Sequence, residues 1–154
     1  VELSVTLRRL GYRLAFRLLQ LRWVLLRPRV EGVKCLIADG ERVLLVRHTY
    51  GARAWDLPGG TSRRGEAPAA TAAREMAEEL GLGGLGWRPL GELRGRMYRR
   101  HDVIHLLGTE VDHPSLRVDP GEISVVAWFE RDRLPLWRSP LLEPIINAGL
   151  LDPA

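Results

Sequence analysis

Cysteine is almost missing from this chain: Cys35 stands alone among 154 residues, which excludes an intrachain disulfide framework. It sits in the apolar run VKCLIA and reads as a small buried hydrophobe rather than a reactive thiol. A reducing, cytoplasmic compartment fits that usage. Long uncharged runs are missing too. Between residues 8 and 29 no uncharged stretch exceeds four residues, whereas a membrane span needs roughly 20 mostly apolar ones. The same interruptions, with no small-residue cleavage site after them, argue against a signal peptide. Acidic residues are scarce at the beginning. Residues 1–30 hold Glu2 alone against seven arginines (8, 9, 13, 17, 22, 27 and 29). The other 124 residues, with 16 basic and 18 acidic side chains, carry a net −2. The basicity therefore belongs to an N-terminal arm, and the nearly neutral body argues against a nucleic-acid groove.

What is present in the arm is leucine. Leu3, Leu7, Leu10, Leu14, Leu18, Leu21 and Leu25 recur at spacings of three and four, one stripe of an amphipathic helix over residues 3–26. Tyr12, Phe16, Leu19, Trp23 and Leu26 form a second apolar group, with Arg9, Arg13 and Arg17 between the two. A helix with two apolar faces needs two covers. One is the body of the domain. The other is a second subunit (a homodimer), a membrane surface touched peripherally through residues 3–26, or more of the same core. Arg27-Pro28-Arg29 ends the helix, because proline disfavours helical geometry in the residue before it.

Beyond the arm, Val33–Ala38 and Arg42–Arg47 are β-branched apolar runs joined by Asp39-Gly40, a hairpin signal. Trp55-Asp56-Leu57 reads as a short extended piece before Pro58-Gly59-Gly60. A helix is expected over 67–80, with Pro68 in its first turn and Gly81 as its stop. Strands are expected at 87–94, 102–110 and 123–129, and a last helix near 140–148. Helix, hairpin, loop, helix, strands, helix is an α+β order with no internal repeat or dividing linker.

The stretch GTSRRGEAPAATAAREMAEELGL, residues 60–82, carries the chemistry. On a helix Glu75 shares a face with Glu78 and Glu79, where like charges repel. A cation removes the repulsion. Carboxylates with no histidine or cysteine among them suit a hard ion, Mg²⁺ or Mn²⁺, which in turn suits phosphate substrates. The spacing Gly60, five residues, Glu66, seven residues, Arg74-Glu75-Met76, one residue, Glu78-Glu79, one residue, Gly81-Leu82 resembles the Nudix box GX5EX7REUXEEXGU (U aliphatic) of the Nudix hydrolases at every fixed position. A chance match is of order one in a million for a chain of this length. GVKCLIADGERVLLVRH with WDLPGG, and ISVVAWFERDRLP, resemble the family's flanking segments, so the likeness covers roughly residues 32–135.

The resemblance implies a Nudix-like α/β/α sandwich with a central mixed sheet over residues 31–154, behind the 1–30 arm. It implies Glu75, Glu78 and Glu79 as metal ligands, and Arg74 as the residue that holds a catalytic glutamate. Glu66 would support the loop. Gly60 would let the backbone approach metal and phosphate. Glu122 is the candidate for a further carboxylate from a later loop. The implied reaction is Mg²⁺-dependent hydrolysis of a nucleoside diphosphate linked to a moiety X, Mn²⁺ substituting. Glu79 or Glu75 would act as base, with Glu122 open. A nucleotide-sensing module that keeps the fold and an RNA 5′-end pyrophosphohydrolase are the competing readings. Outside the box, Trp55, Tyr50 and Tyr98 are candidates to stack on a base. Arg96 and Arg99, in the basic run LRGRMYRRH, are candidates to reach substrate phosphates. His48, His105 and His113 show no metal-ligand spacing.

Overall fold

Gly40 takes φ +59°, the left-handed conformation that a tight hairpin turn demands. It joins β1 (Arg29–Asp39) to β2 (Arg42–His48), with Asp39 opposite Arg42. The computed structural model describes residues 2–26, 29–97 and 100–150. Around the hairpin, β3 (Arg88–Met97), β4 (Arg100–Glu110) and β5 (Ile123–Glu130) complete a five-stranded sheet in the order β3-β4-β1-β2-β5. β1 and β4 are parallel, and the remaining pairs are antiparallel. A parallel pair needs a long crossover, and α2 (Pro68–Leu80) lies within it. β1 starts earlier than its apolar run because its pairing with β4 extends from Arg29 to Ala38.

Alternation assigns the two faces of the sheet. Val33, Cys35 and Ile37 of β1, with Leu44 and Val46 of β2, pack against Ala72, Met76 and Leu80 of α2. Leu36, Val43 and Leu45 point the other way, onto Leu142 and Ile145 of α3 (Leu142–Asn147). The result is the expected α/β/α sandwich with a mixed sheet. Burial raises the Cys35 thiol pKa well above its ordinary value, in keeping with a packing role.

α2 starts with Pro68 after an extended Ala67 and ends at Gly81, whose φ is +68°. The Gly81 N–H bonds to the Ala77 carbonyl at 3.2 Å and the Leu82 N–H to the Met76 carbonyl at 3.0 Å, closing the helix on a left-handed glycine. The last two carbonyls of the helix, of Glu79 and Leu80, accept the N–H groups of Asp119 (2.9 Å) and Arg117 (2.8 Å). A loop preceding β5 thus caps the helix that carries the acidic cluster.

α1 (Glu2–Leu26) matches the expected arm helix. Residues 27 and 28, where the sequence places its end, lie outside the described residues. The body covers the Tyr12 and Phe16 side. Tyr12 stacks on Tyr50 at 6.2 Å between centroids, and Phe16 lies 5.1 Å from the same ring. Arg8 makes a two-pronged ion pair with Asp119 at 2.7 and 2.9 Å. Arg9 donates to the Pro120 carbonyl at 2.9 Å and Arg13 to the Thr49 carbonyl at 3.1 Å. The leucine stripe is left in solvent: Leu7, Leu10, Leu14, Leu18 and Leu21 are each 58–61% exposed.

Candidate active site

Arg74 is the hub of the box. Its Nε and Nη2 grip the two oxygens of Glu66, each at 2.8 Å. Nη1 donates to Glu75 at 2.7 Å and more distantly to Glu78 at 3.4 Å, and Nη2 also reaches the Thr61 carbonyl at 3.1 Å. A planar guanidinium with five donors can serve four partners in this way, which a lysine cannot. Glu66 also accepts the Arg63 N–H at 2.8 Å, which ties the loop back onto the start of the helix. The Arg74 bonds, then that backbone N–H, hold the Glu66 carboxyl down at about 2.

That depression has a sign. A carboxylate whose folded pKa lies below its unfolded value stabilises the fold above the unfolded value and loses that stabilisation as pH falls toward the folded one. Between about pH 4.5 and pH 2 the wild type should therefore lose stability through this site. Glu66→Gln should lose less over the same interval, as read from urea midpoints at stepped pH. Identical slopes for the two proteins would remove the clamp from the account of acid unfolding.

The glycines next to the box are shaped by their neighbours. A Cβ on Gly60 would lie 2.3 Å from the Glu75 carboxyl carbon, so the Glu75 carboxylate rests on bare backbone. A Cβ on Gly59, at φ +148°, would lie 2.2 Å from the Val33 carbonyl oxygen. The Gly60 carbonyl accepts the Val33 N–H at 2.9 Å and keeps a second lone pair for another partner.

Glu79 is buried on α2 at 1% exposure. Its contacts are long: His48 Nε2 at 3.4 Å from Oε1, and the Gly59 N–H at 3.4 Å from Oε2. Glu122 is half-buried and accepts the Tyr50 hydroxyl at 2.9 Å. Thr49 fixes this corner, its N–H donating to the Glu122 carbonyl and its hydroxyl to the Gly121 carbonyl, both at 2.8 Å. Burial, then repulsion from Glu79, raises the Glu122 pKa. Burial raises that of Glu75 too, against the pull of Arg74 and with the push of Glu79 and Glu122. Glu75, Glu79 and Glu122 together offer an all-oxygen donor set, and a divalent cation fits it. Arg74 draws Glu75 and Glu78 to one side, while His48 and Tyr50 draw Glu79 and Glu122 to the other. Among the described residues the one trio with ligand atoms all within 4.8 Å is Asp39, Asp112 and His113, where Arg42 already holds Asp39 at 2.6 Å.

A cavity of about 630 Å³ opens beside Gly59 and Gly60. Its wall includes Lys34, His48, Tyr50, Asp102, Ser139 and, from α1, Phe16. Lys34 donates to Asp56 at 2.8 Å and to the Leu57 carbonyl at 2.9 Å, which places a partly satisfied cation at the rim. Tyr50, one of the stacking candidates, is in this wall. Trp55 is not: it packs edge-on against Phe129 at 4.9 Å, on the α3 side of the sheet. Arg96 pairs through its backbone with His101, near the end of the β3–β4 hairpin, and Arg99 and Tyr98 lie outside the described residues. His48 lacked any spacing signal because its neighbour Glu79 is 31 residues away in the chain. Lys34, Asp102 and Phe16 likewise reach the site only through β1, β4 and α1.

Together these features define an α/β/α protein with an acidic loop–helix seated beside a polar-rimmed cleft. A family model for the NUDIX domain matches residues 28–148. A protein of Mycobacterium tuberculosis named "Putative 8-oxo-dGTP diphosphatase 2" is 41% identical over 115 residues, 68% of this chain and 77% of that one. The "ADP-ribose pyrophosphatase" of the same species is 52% identical over 48 residues, 30% of this chain, which spans only 23% of that protein's length. The crystal structure of a MutT NUDIX hydrolase from Burkholderia pseudomallei superposes with a TM-score of 0.70 over 77% of this chain and 96% of that one, at 23% identity. The chain belongs to the Nudix hydrolase family. Members of that family generally use divalent metal ions and act on substrates linked to a nucleoside diphosphate.

Proposed function

We propose that this chain is a Mg²⁺-dependent pyrophosphohydrolase that cleaves a nucleoside diphosphate derivative to a nucleoside monophosphate and phosphorylated X. The observation that carries the reading is the complete box, Gly60 to Leu82, whose Gly60 end lines a cleft of nucleotide size. Residues 31–154 form the catalytic domain in this reading and residues 1–30 an accessory arm. Glu75, Glu78 and Glu79 would hold the ion, with Glu122 and the free lone pair of the Gly60 carbonyl beside them. A divalent ion there neutralises phosphate oxygens and lowers the pKa of a bound water.

The chain's own residues divide the remaining work. Arg74 positions Glu75 through its 2.7 Å bond and holds the loop through Glu66. Glu79 takes the proton from the attacking water, because Arg74 already occupies Glu75 while His48 steadies Glu79 from the opposite side. Tyr50 supports Glu122 and offers its ring as a wall for the base or sugar. A sensing module could lose glutamates without penalty, and here every one is retained. The nearly neutral body favours a small substrate over an RNA end.

The test is a phosphate- or nucleotide-release screen with Mg²⁺ and with Mn²⁺ over nucleoside triphosphates, ADP-ribose, nucleotide sugars, dinucleoside polyphosphates and 8-oxo-dGTP. At least one diphosphate should turn over, and a chelator should abolish turnover. A panel with no turnover, or turnover untouched by chelation, would overturn the proposal.

A further inference from the structure

α1 presents a surface that the hydrolase reading does not use. A second subunit and a membrane surface, two of the alternatives for residues 3–26, compete for this one face. Leu7, Leu10, Leu14, Leu18 and Leu21 form an exposed row on the side of the helix opposite Tyr12 and Phe16, which face the body. A large exposed apolar face on a helix already anchored by its other side marks an interaction surface.

Three features select its partner. The first is period. The leucines advance at three and four residues in a pattern that averages about 3.7, close to the α-helical repeat. Such a row runs straight along an unbent helix, about 37 Å for 25 residues, and offers its whole length to a flat surface. A left-handed two-stranded coiled coil needs 3.5 instead. In the heptad register of Leu7, Leu10, Leu14 and Leu21, the missing seam position is Arg17. A second copy would place two like charges in the seam.

The second feature is charge. α1 carries Arg8, Arg9, Arg13, Arg17 and Arg22 against Glu2 alone. Arg8, Arg9 and Arg13 are engaged with the loops of the body. Arg17 and Arg22 flank the leucine row, one on each side, and both are exposed. Among the described residues neither has an acidic partner. A like-charged copy of this helix would be repelled, whereas an anionic surface would be attracted. The third feature is side-chain reach. Arginines beside an apolar row can lay their stems along it and carry the guanidinium up to a phosphate plane.

We propose that the leucine face of α1 lies flat on an anionic lipid bilayer, leucines in the acyl boundary and Arg17 and Arg22 on headgroup phosphates. The arrangement is peripheral: no helix among the described residues is long and apolar enough to cross a membrane. The proposal stands apart from the hydrolase reading, since no catalytic residue takes part in it.

Flotation of the full chain with vesicles decides it. Vesicles of phosphatidylcholine containing a third phosphatidylglycerol should carry the protein up. Vesicles of phosphatidylcholine alone should hold at least about tenfold less, and added salt should narrow that gap. Leu14→Ser with Leu18→Ser should weaken binding by about tenfold per leucine. Arg17→Gln with Arg22→Gln should weaken it by about fivefold per arginine on the anionic vesicles only. Thermal melts of both variants should match the wild type, because all four side chains are exposed. Sedimentation without lipid should give a monomer. Absence of flotation, equal flotation on both vesicle types, or leucine variants that float like the wild type would each overturn the proposal. So would a wild-type dimer that Leu14→Ser converts to monomer, which would hand the face to a second copy.

Discussion

Glu79→Gln should lower turnover by about a hundredfold or more while leaving the fold intact, the scale expected when an acid–base group is lost. Glutamine keeps the shape and can still meet the Gly59 N–H and His48. The change removes charge and proton affinity and little packing. It acts at a position only 1% exposed. Glu78→Gln makes the same chemical change at a side chain that is 55% exposed and held loosely, by Arg74 at 3.4 Å and Arg63 at 3.7 Å, and it should cost much less. Initial rates over a metal titration separate the roles: added metal should largely restore Glu78→Gln, a lost ligand, and should leave Glu79→Gln far below the wild type even at saturation, because its base is lost as well. A Glu79→Gln protein with wild-type turnover would remove Glu79 as the base.

The second large effect separates two adjacent glycines. Gly59→Ala should destabilise the protein by about 3 kcal/mol or more, because strain at a special backbone position comes on top of a collision with rigid backbone. The added Cβ would meet the Val33 carbonyl at 2.2 Å, on the strand at the centre of the sheet. Gly60→Ala meets the end of the Glu75 side chain at 2.3 Å, and a flexible carboxylate can swing away. The second variant should therefore melt near the wild type and yet lose most of its activity, because Glu75 is expelled from its seat. Melting temperature and turnover, read together, test this. A Gly60→Ala protein that unfolds early while retaining specific activity would contradict the geometry.

The acidic cluster was legible in the chain because its members share one short helix, where spacing is geometry: Glu75, Glu78 and Glu79 are neighbours on any α-helix. The hairpin was legible from Asp39-Gly40, and the helix stop from Gly81. What surrounds the cluster was not. His48 and Tyr50 reach it from the end of β2, Asp102 and Lys34 from strands paired only through the β1–β4 register, and Phe16 from a helix with no local reason to lie there. Each of these placements is set by long-range packing, and no periodicity encodes it. Trp55 shows the converse. Its position beside LPGG suggests a substrate contact, whereas its ring packs edge-on against Phe129, a partner 74 residues away that no local pattern names. The leucine row was visible as a stripe, but its exposure depended on which side of α1 the body would take. Tyr50 decided that by accepting Tyr12 and Phe16.

The inner side of α1 has a practical corollary. Arg9 and Arg8 hold the segment Asp119–Pro120 that leads to Glu122, Arg13 holds Thr49 next to Tyr50, and Phe16 closes part of the cleft. The boundary near residue 30 is thus a seam in sequence only. An enzyme trimmed there for ease of handling, or nicked there by a protease, would be a different catalyst with an open-ended binding site. Affinities measured on it would not transfer to the parent chain.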